Sequence, residues 1–254
     1  MGLFGKKKKN VDIDSFPPIG GLMVSKMITE GNKKPMFMYR DKRSRPEDSG
    51  WRIFSGLESD KYTDNPENAG IHNPSTLLAI DSSIADILLT GGFGSAFERK
   101  SEKSSWYRVT DFRVEDDYMV KHRLTEKWEL SINNLFERQK EQNGDLLYTT
   151  GDKSLRLAVW NDERSKPEIY NEHRQMISTR DESKGKTLKT FDFSDHQVSR
   201  LGYMIKESDE NRTYYVIYAF SIIDHQLIQA ALYFDYEEDE SWAVETWKGI
   251  QLIG

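Results

Sequence analysis

Cysteine is absent from all 254 residues, so neither a disulfide framework nor a thiolate metal site can be built. That lack fits a reducing compartment, and a cytoplasmic location is expected. No apolar run approaches the ~18 residues that cross a bilayer, so no membrane partner is expected. Lys6 to Lys9 form a basic run, but no apolar stretch follows it as a secretory signal requires. Lys6 also stands where a myristoylation motif needs Ser or Thr after Gly2. Residues 1–18 are therefore expected to form a flexible basic tail. Histidine is scarce and scattered: His72, His122, His173, His196 and His225 include no pair at the i, i+3 or i, i+4 spacing of a helical metal site. No metal or other cofactor is expected.

What is present describes a folded, somewhat polar chain. Hydrophobic residues make up 37% and charged residues 31%, yet Trp 6, Tyr 12 and Phe 12 supply bulky side chains that disordered chains lack. The net charge of -6 is unevenly spread. Residues 1–105 carry 16 Lys+Arg against 14 Asp+Glu, and residues 106–254 carry 20 against 28. A nucleic-acid partner needs clustered cations, so the acidic second half argues against one and suits a basic protein.

Punctuation and periodicity predict an α+β fold of two domains, each a mainly antiparallel sheet with packed helices. The first domain covers 19–100, with strands at Leu22–Val24, Pro35–Tyr39 and Trp51–Phe54. Residues 61–73 read as a loop. Ser75 and Ser82 are expected to cap two short helices, the second ending at Gly91, and Ser95–Glu98 reads as a closing strand. The polar run 101–105 holds no apolar residue and is expected to be the linker. The second domain then covers 106–254. Tyr214–Ile223 is a nearly unbroken apolar run, expected of a strand covered on both faces, and it pairs with Leu227–Phe234 through a short turn. Ala243, Trp247 and Ile250 at i, i+4 and i+7 predict a terminal helix over 239–252.

Chemistry-bearing candidates are few. Gly91-Gly92-Phe93-Gly94-Ser95 lacks the G-K-[ST] ending of a phosphate loop and follows a helix. Asp60, Asp64, Asn65 and Glu67 lack calcium-loop spacing, and Pro66 interrupts them. Glu58 with Asp48 or Asp60 could form a carboxylate pair for acid–base work, which keeps a small-ligand or nucleotide-processing enzyme as an alternative, although no nucleophile accompanies them. The acids Asp235, Glu237 and Glu238 precede the terminal helix, where carboxylates favour the exposed N–H dipoles, or they could meet a basic partner. Asp48 to Tyr62 is the densest segment. It combines turn chemistry with two aromatics, Trp51 and Phe54, that suit either core or an interface anchor.

That segment also carries a resemblance. Val24-Ser25-Lys26, Tyr39-Arg40, Asp48-Ser49-Gly50-Trp51-Arg52-Ile53-Phe54-Ser55-Gly56, Glu58, Tyr62, Gly70-Ile71 and Gly94-Ser95-Ala96-Phe97-Glu98-Arg99 resemble a bacterial domain grouped among polymorphic-toxin immunity proteins, over about residues 20–100. Leu57 departs from it, standing where that group tends to have an acid. The resemblance implies no enzyme but a cytoplasmic protein that neutralises a cognate toxin by stoichiometric occlusion, in interbacterial competition through type VI or contact-dependent delivery. Its partner-binding residues would be Asp48, Trp51, Phe54, Glu58 and Asp60, with Asp64 and Glu67 in the variable stretch and Asp235, Glu237 and Glu238 in the acidic second half. The second half, at Trp128, Leu130, Phe136-Glu137-Arg138, Ala158-Val159-Trp160, Tyr218-Ala219-Phe220, Gln229, Tyr233-Phe234-Asp235, Asp239 and Trp247, resembles an uncharacterised group of bacterial domains. Its layout is similar to α+β domains of photosystem-associated and nuclear-transport accessory proteins. A two-domain adaptor is the other alternative.

Overall fold

Alternation along short strands builds the first sheet. A computed structural model describes residues 15–209 and 212–254, in two compact units that divide between Glu115 and Asp116. The basic run Lys6–Lys9 lies outside the described residues. Phe16 and Ile19 already pack against the first core, so the packed chain begins before residue 18.

The first unit runs β1 (Gly21–Ser25), α1 (Lys26–Thr29), β2 (Phe37–Arg40), β3 (Asp48–Phe54), α2 (Asp60–Thr63), β4 (Ala69–His72), α3 (Pro74–Ile80), α4 (Ala85–Thr90), β5 (Ala96–Glu98) and β6 (Tyr107–Val109). Its six-stranded sheet has the order β4-β1-β3-β2-β5-β6. Strands β1 and β3 are parallel, and the remaining neighbours are antiparallel. Successive side chains point to opposite faces. One face presents Leu22, Val24, Met38, Trp51, Ile53 and Phe97 to Leu77, Leu78, Ile84 and Leu88 of the helical layer. The other face gathers half-buried Phe37, Tyr39 and Phe54 with Phe112; the Tyr39 and Phe54 rings stack at 6.0 Å and 7°.

Three sequence expectations change here. The helix expected to start at Ser75 has Asn73 at its cap and Pro74 in its first turn, where a missing N–H is harmless. Asp81, rather than Ser82, caps the following turn, its carboxylate accepting from Ser83 N at 3.0 Å. The run 101–105 is the connection between β5 and β6, which pair in one sheet. Arg99 fixes it there. Its guanidinium reaches Asp81 at 2.5 Å and donates to Glu102 O at 3.0 Å, while Trp106 Nε1 donates to Ser83 Oγ at 3.0 Å.

The second unit runs β7 (Met119–Arg123), β8 (Trp128–Asn133), β9 (Glu137–Lys140), β10 (Leu146–Thr149), β11 (Lys153–Asn161), α5 (Lys166–Ser178), β12 (Thr187–Asp192), β13 (Ser199–Ser208), β14 (Thr213–Ile223), β15 (Gln226–Phe234), α6 (Glu240–Lys248) and β16 (Ile250–Leu252). A seven-stranded antiparallel sheet, β12-β13-β14-β15-β11-β10-β9, accompanies a three-stranded one, β16-β8-β7. The apolar run of β14 is buried on both faces: Ile217 and Ala219 join the large core around Trp128 and Trp247, and Phe220 and Ile222 meet Ile169 of α5. Asp224 and His225 close the β14–β15 hairpin, with His225 at φ 65°. The terminal helix is shorter than its periodicity suggests. Gly249 caps α6, and Ile250 and Leu252 instead pair with Leu130 and Trp128.

Candidate interaction surface

The signature Asp48-Ser49-Gly50-Trp51-Arg52 is consumed internally. Asp48 takes a two-pronged ion pair from Arg52, at 2.9 and 2.8 Å, and accepts from Gly50 N at 2.9 Å. The Arg52 hydrogen bonds hold its carboxyl well below the usual carboxylate range, against the upward push of burial. Ser49 Oγ donates to Gly21 O at 2.6 Å, tying β3 to the start of β1. Gly50 sits at φ +82°, and a Cβ there would lie 2.2 Å from Asp41 O. Trp51 is 0% exposed, its Nε1 donating to Leu88 O at 3.3 Å, and its ring lies so close to Gly91 that a Cβ there would fall 2.6 Å away. Trp51 is therefore not an interface anchor: it is the centre of the first core. Phe54 is half-buried in the aromatic group on the opposite face.

Glu58 is likewise occupied. It accepts from Ser55 N at 2.9 Å, Ser55 Oγ at 2.8 Å and Leu57 N at 3.1 Å, bracing the loop after β3. Burial pushes its carboxyl up, but the hydrogen bonds from Ser25 and this loop bring it below its ordinary value. Asp48 and Glu58 thus serve separate local networks and do not converge as an acid–base pair. Among the described residues, no group of three or more His, Asp or Glu is placed to hold a metal ion.

The stretch between Glu58 and Asn73 is different. It was expected to be a loop, yet it folds as α2, a 3-10 turn over Pro66–Asn68 and the edge strand β4. Local bonds explain this: Asn65 Oδ1 caps Glu67 N at 3.1 Å, and Asn68 Nδ2 donates to Tyr62 O at 2.9 Å. Neither α2 nor the 3-10 turn buries a residue, so the acids Asp60, Asp64 and Glu67 all face solvent. Two large apolar side chains bound the stretch, Leu57 at 63% and Ile71 at 65% exposure. A groove of about 530 Å³ lies between α1 and this stretch, lined by Met27, Glu30, Tyr62, Glu67 and Asn68 among others. Leu57, Tyr62 and Ile71 escape composition-based reading because each is an isolated apolar residue in polar surroundings.

In the second unit the acids at the start of α6 have partners. Arg212 approaches Asp235 at 3.4 Å, Tyr215 Oη donates to Glu237 at 3.2 Å, and Lys153 lies 3.9 Å from buried Asp239. Glu237 to Asp239 form a 3-10 turn leading directly into the helix, where exposed N–H groups favour negative charge. Glu237 and Glu238 remain exposed.

No curated protein matches the chain. Among solved structures, cyanobacterial PsbP (CyanoP) from Synechocystis sp. PCC 6803 aligns with a TM-score of 0.40 and 6% identity, covering 57% of this chain and 97% of that one. A protein of unknown function from Pseudomonas aeruginosa, PA94, described as a putative regulator, aligns with a TM-score of 0.30 and 16% identity, covering 52% and 92%. At those scores the two likenesses bear on neither function nor site. Residues 22–110, from β1 through β6, match the Immunity protein Imm33 domain.

Proposed function

We propose that this protein binds a cognate bacterial toxin in the cytoplasm and neutralises it by one-to-one occlusion. The observation that carries the reading is the Imm33 match over the first unit. The reading is supported at one stretch by exposure: Asp60, Asp64 and Glu67, with the apolar side chains of Leu57 and Ile71, lie on the surface outside the core and the signature network. An apolar contact rimmed by charge is the composition that protein interfaces favour. A standard interface of ~1,600 Å² would cover this stretch and its neighbouring groove. The exposed acids suit a basic toxin, whose encounter they would accelerate. Delivery of that toxin by a type VI or contact-dependent system belongs to the same reading.

The test is co-purification with the product of the neighbouring upstream gene, together with growth of cells expressing that product. The proposal expects a stoichiometric complex and growth only when this protein is present. A product harmless to cells lacking this protein contradicts it.

The second unit favours an adaptor component, because it has its own large core around Trp128 and Trp247. On that reading, surface substitutions in the second unit leave toxin protection intact. Loss of protection by such substitutions would count against it.

A further inference from the structure

Sheet edges are templates for pairing, and proteins protect them with charge, bulges or short length. The edge strands of the described residues can be compared directly. Strand β9 reads Glu137-Arg138-Gln139-Lys140, three of its four residues charged. Strand β12 carries Lys189 and a register shift between Thr187 and Lys189. Strand β7 carries Lys121 and Arg123, β6 carries Arg108, and β16 spans only Ile250–Leu252. Strand β4 differs from all of these. Its four residues, Ala69-Gly70-Ile71-His72, include no Lys, Arg, Asp or Glu, and no register shift interrupts its pairing with β1. Its central Ile71 is 65% exposed beside Met23. One side of this strand is paired with β1, and the other ends the sheet.

The surroundings indicate what would cover it. Asn68, the residue before β4, lines the groove that also holds Tyr62, Glu67 and the ion pair of Lys26 with Glu30 at 3.9 Å. Residues 60–68 carry three acids, Asp60, Asp64 and Glu67, against the single cation Lys61. A strand arriving at β4 would thus run beside the exposed acids Asp60, Asp64 and Glu67 and the Tyr62 side of the groove. A second copy of this chain fits poorly, because its residues 69–74 contain no Lys or Arg to meet Glu67.

Resting on the immunity reading above, we propose that β4 is the docking edge. An extended segment of the toxin joins it as a seventh strand of the first sheet, seating a Lys or Arg against Glu67 at the groove. Main-chain hydrogen bonds along β4 supply affinity, and the alternating side chains supply selectivity, as in other cases of strand addition. Ile71 provides the apolar contact on the exposed face, and the acids favour a basic segment over other extended chains.

Hydrogen exchange of the full chain, alone and with the purified product of the neighbouring upstream gene, tests this directly. The amides of residues 69–72 are expected to slow only in the complex. Ile71→Lys and Glu67→Lys are each expected to weaken binding about tenfold or more, with Ile71→Val within about twofold and all three retaining the parent thermal midpoint. Binding without β4 protection, and with unchanged affinity in both charge variants, overturns the docking edge and leaves the immunity reading standing. No binding by the unsubstituted chain overturns both. Concentration-dependent protection of β4 in the chain alone assigns the edge to a second copy and also overturns the proposal.

Discussion

At the residue scale, the most consequential finding is the fate of Trp51. An aromatic between turn residues and charges suits both a binding anchor and a core, and only the seating against Leu88, Gly91 and Phe97 decides between them. Trp51→Ala is expected to cost about 3–5 kcal/mol through lost burial and a residual cavity, read as a lower urea midpoint. Leu57→Ala, at an exposed position, should shift that midpoint by no more than about 0.5 kcal/mol. Asp48→Asn leaves the Arg52 guanidinium without its charge partner, and a loss of about 2–3 kcal/mol is expected. The same pair sets a pH dependence. Asp48, Glu58 and Asp81 all ionise at lower pH folded than unfolded. The unfolded chain therefore takes up their protons first as pH falls. Their stabilisation is full above about pH 5 and is lost progressively below about pH 4. Urea midpoints measured across that range should fall with acid, and Asp48→Asn should flatten the fall.

At the element scale, glycine decides two connections. Gly50→Ala would place a methyl against the Asp41 carbonyl in a left-handed conformation, and a loss of about 2 kcal/mol or more is expected by denaturant titration. Gly249 ends α6 and releases Ile250 into β16, so Ile250→Ala should cost about 2–4 kcal/mol as a core strand position. These two sites also show what was legible in advance. The long strands β11, β14 and β15 announce themselves by apolar runs, and the α+β class follows from them. Strand β16 did not, because Ala243, Trp247 and Ile250 fit one helical face and only the Gly249 interruption breaks the pattern. Strand β4 was hidden for another reason: Ala69-Gly70-Ile71-His72 has no alternation, and its pairing depends on β1, far away in sequence. In the candidate site, the acids Asp60, Asp64 and Glu67 were readable as exposed, whereas the burial of Trp51 and the bracing role of Glu58 depend on tertiary partners that sequence spacing cannot supply.

At the scale of the whole molecule, the chain joins a unit that matches the Imm33 domain over residues 22–110 to a second α+β unit with a core of its own. The net charge of -6 is distributed over surfaces of unequal availability. The acids before α6 lie among Arg212, Tyr215 and Lys153, while those of residues 60–68 face solvent with one cation among them. On the proposed function, partner association should accordingly be salt-sensitive in its on-rate, and the sensitivity should reside in the first unit. The measurement that tests this most directly is the affinity of the full chain for the neighbouring upstream gene product, comparing Asp60→Lys/Asp64→Lys/Glu67→Lys with Asp235→Lys/Glu237→Lys/Glu238→Lys. The account predicts a loss of about tenfold or more for the first triple variant and about twofold or less for the second. An unchanged affinity in the first, or the larger loss in the second, would contradict it.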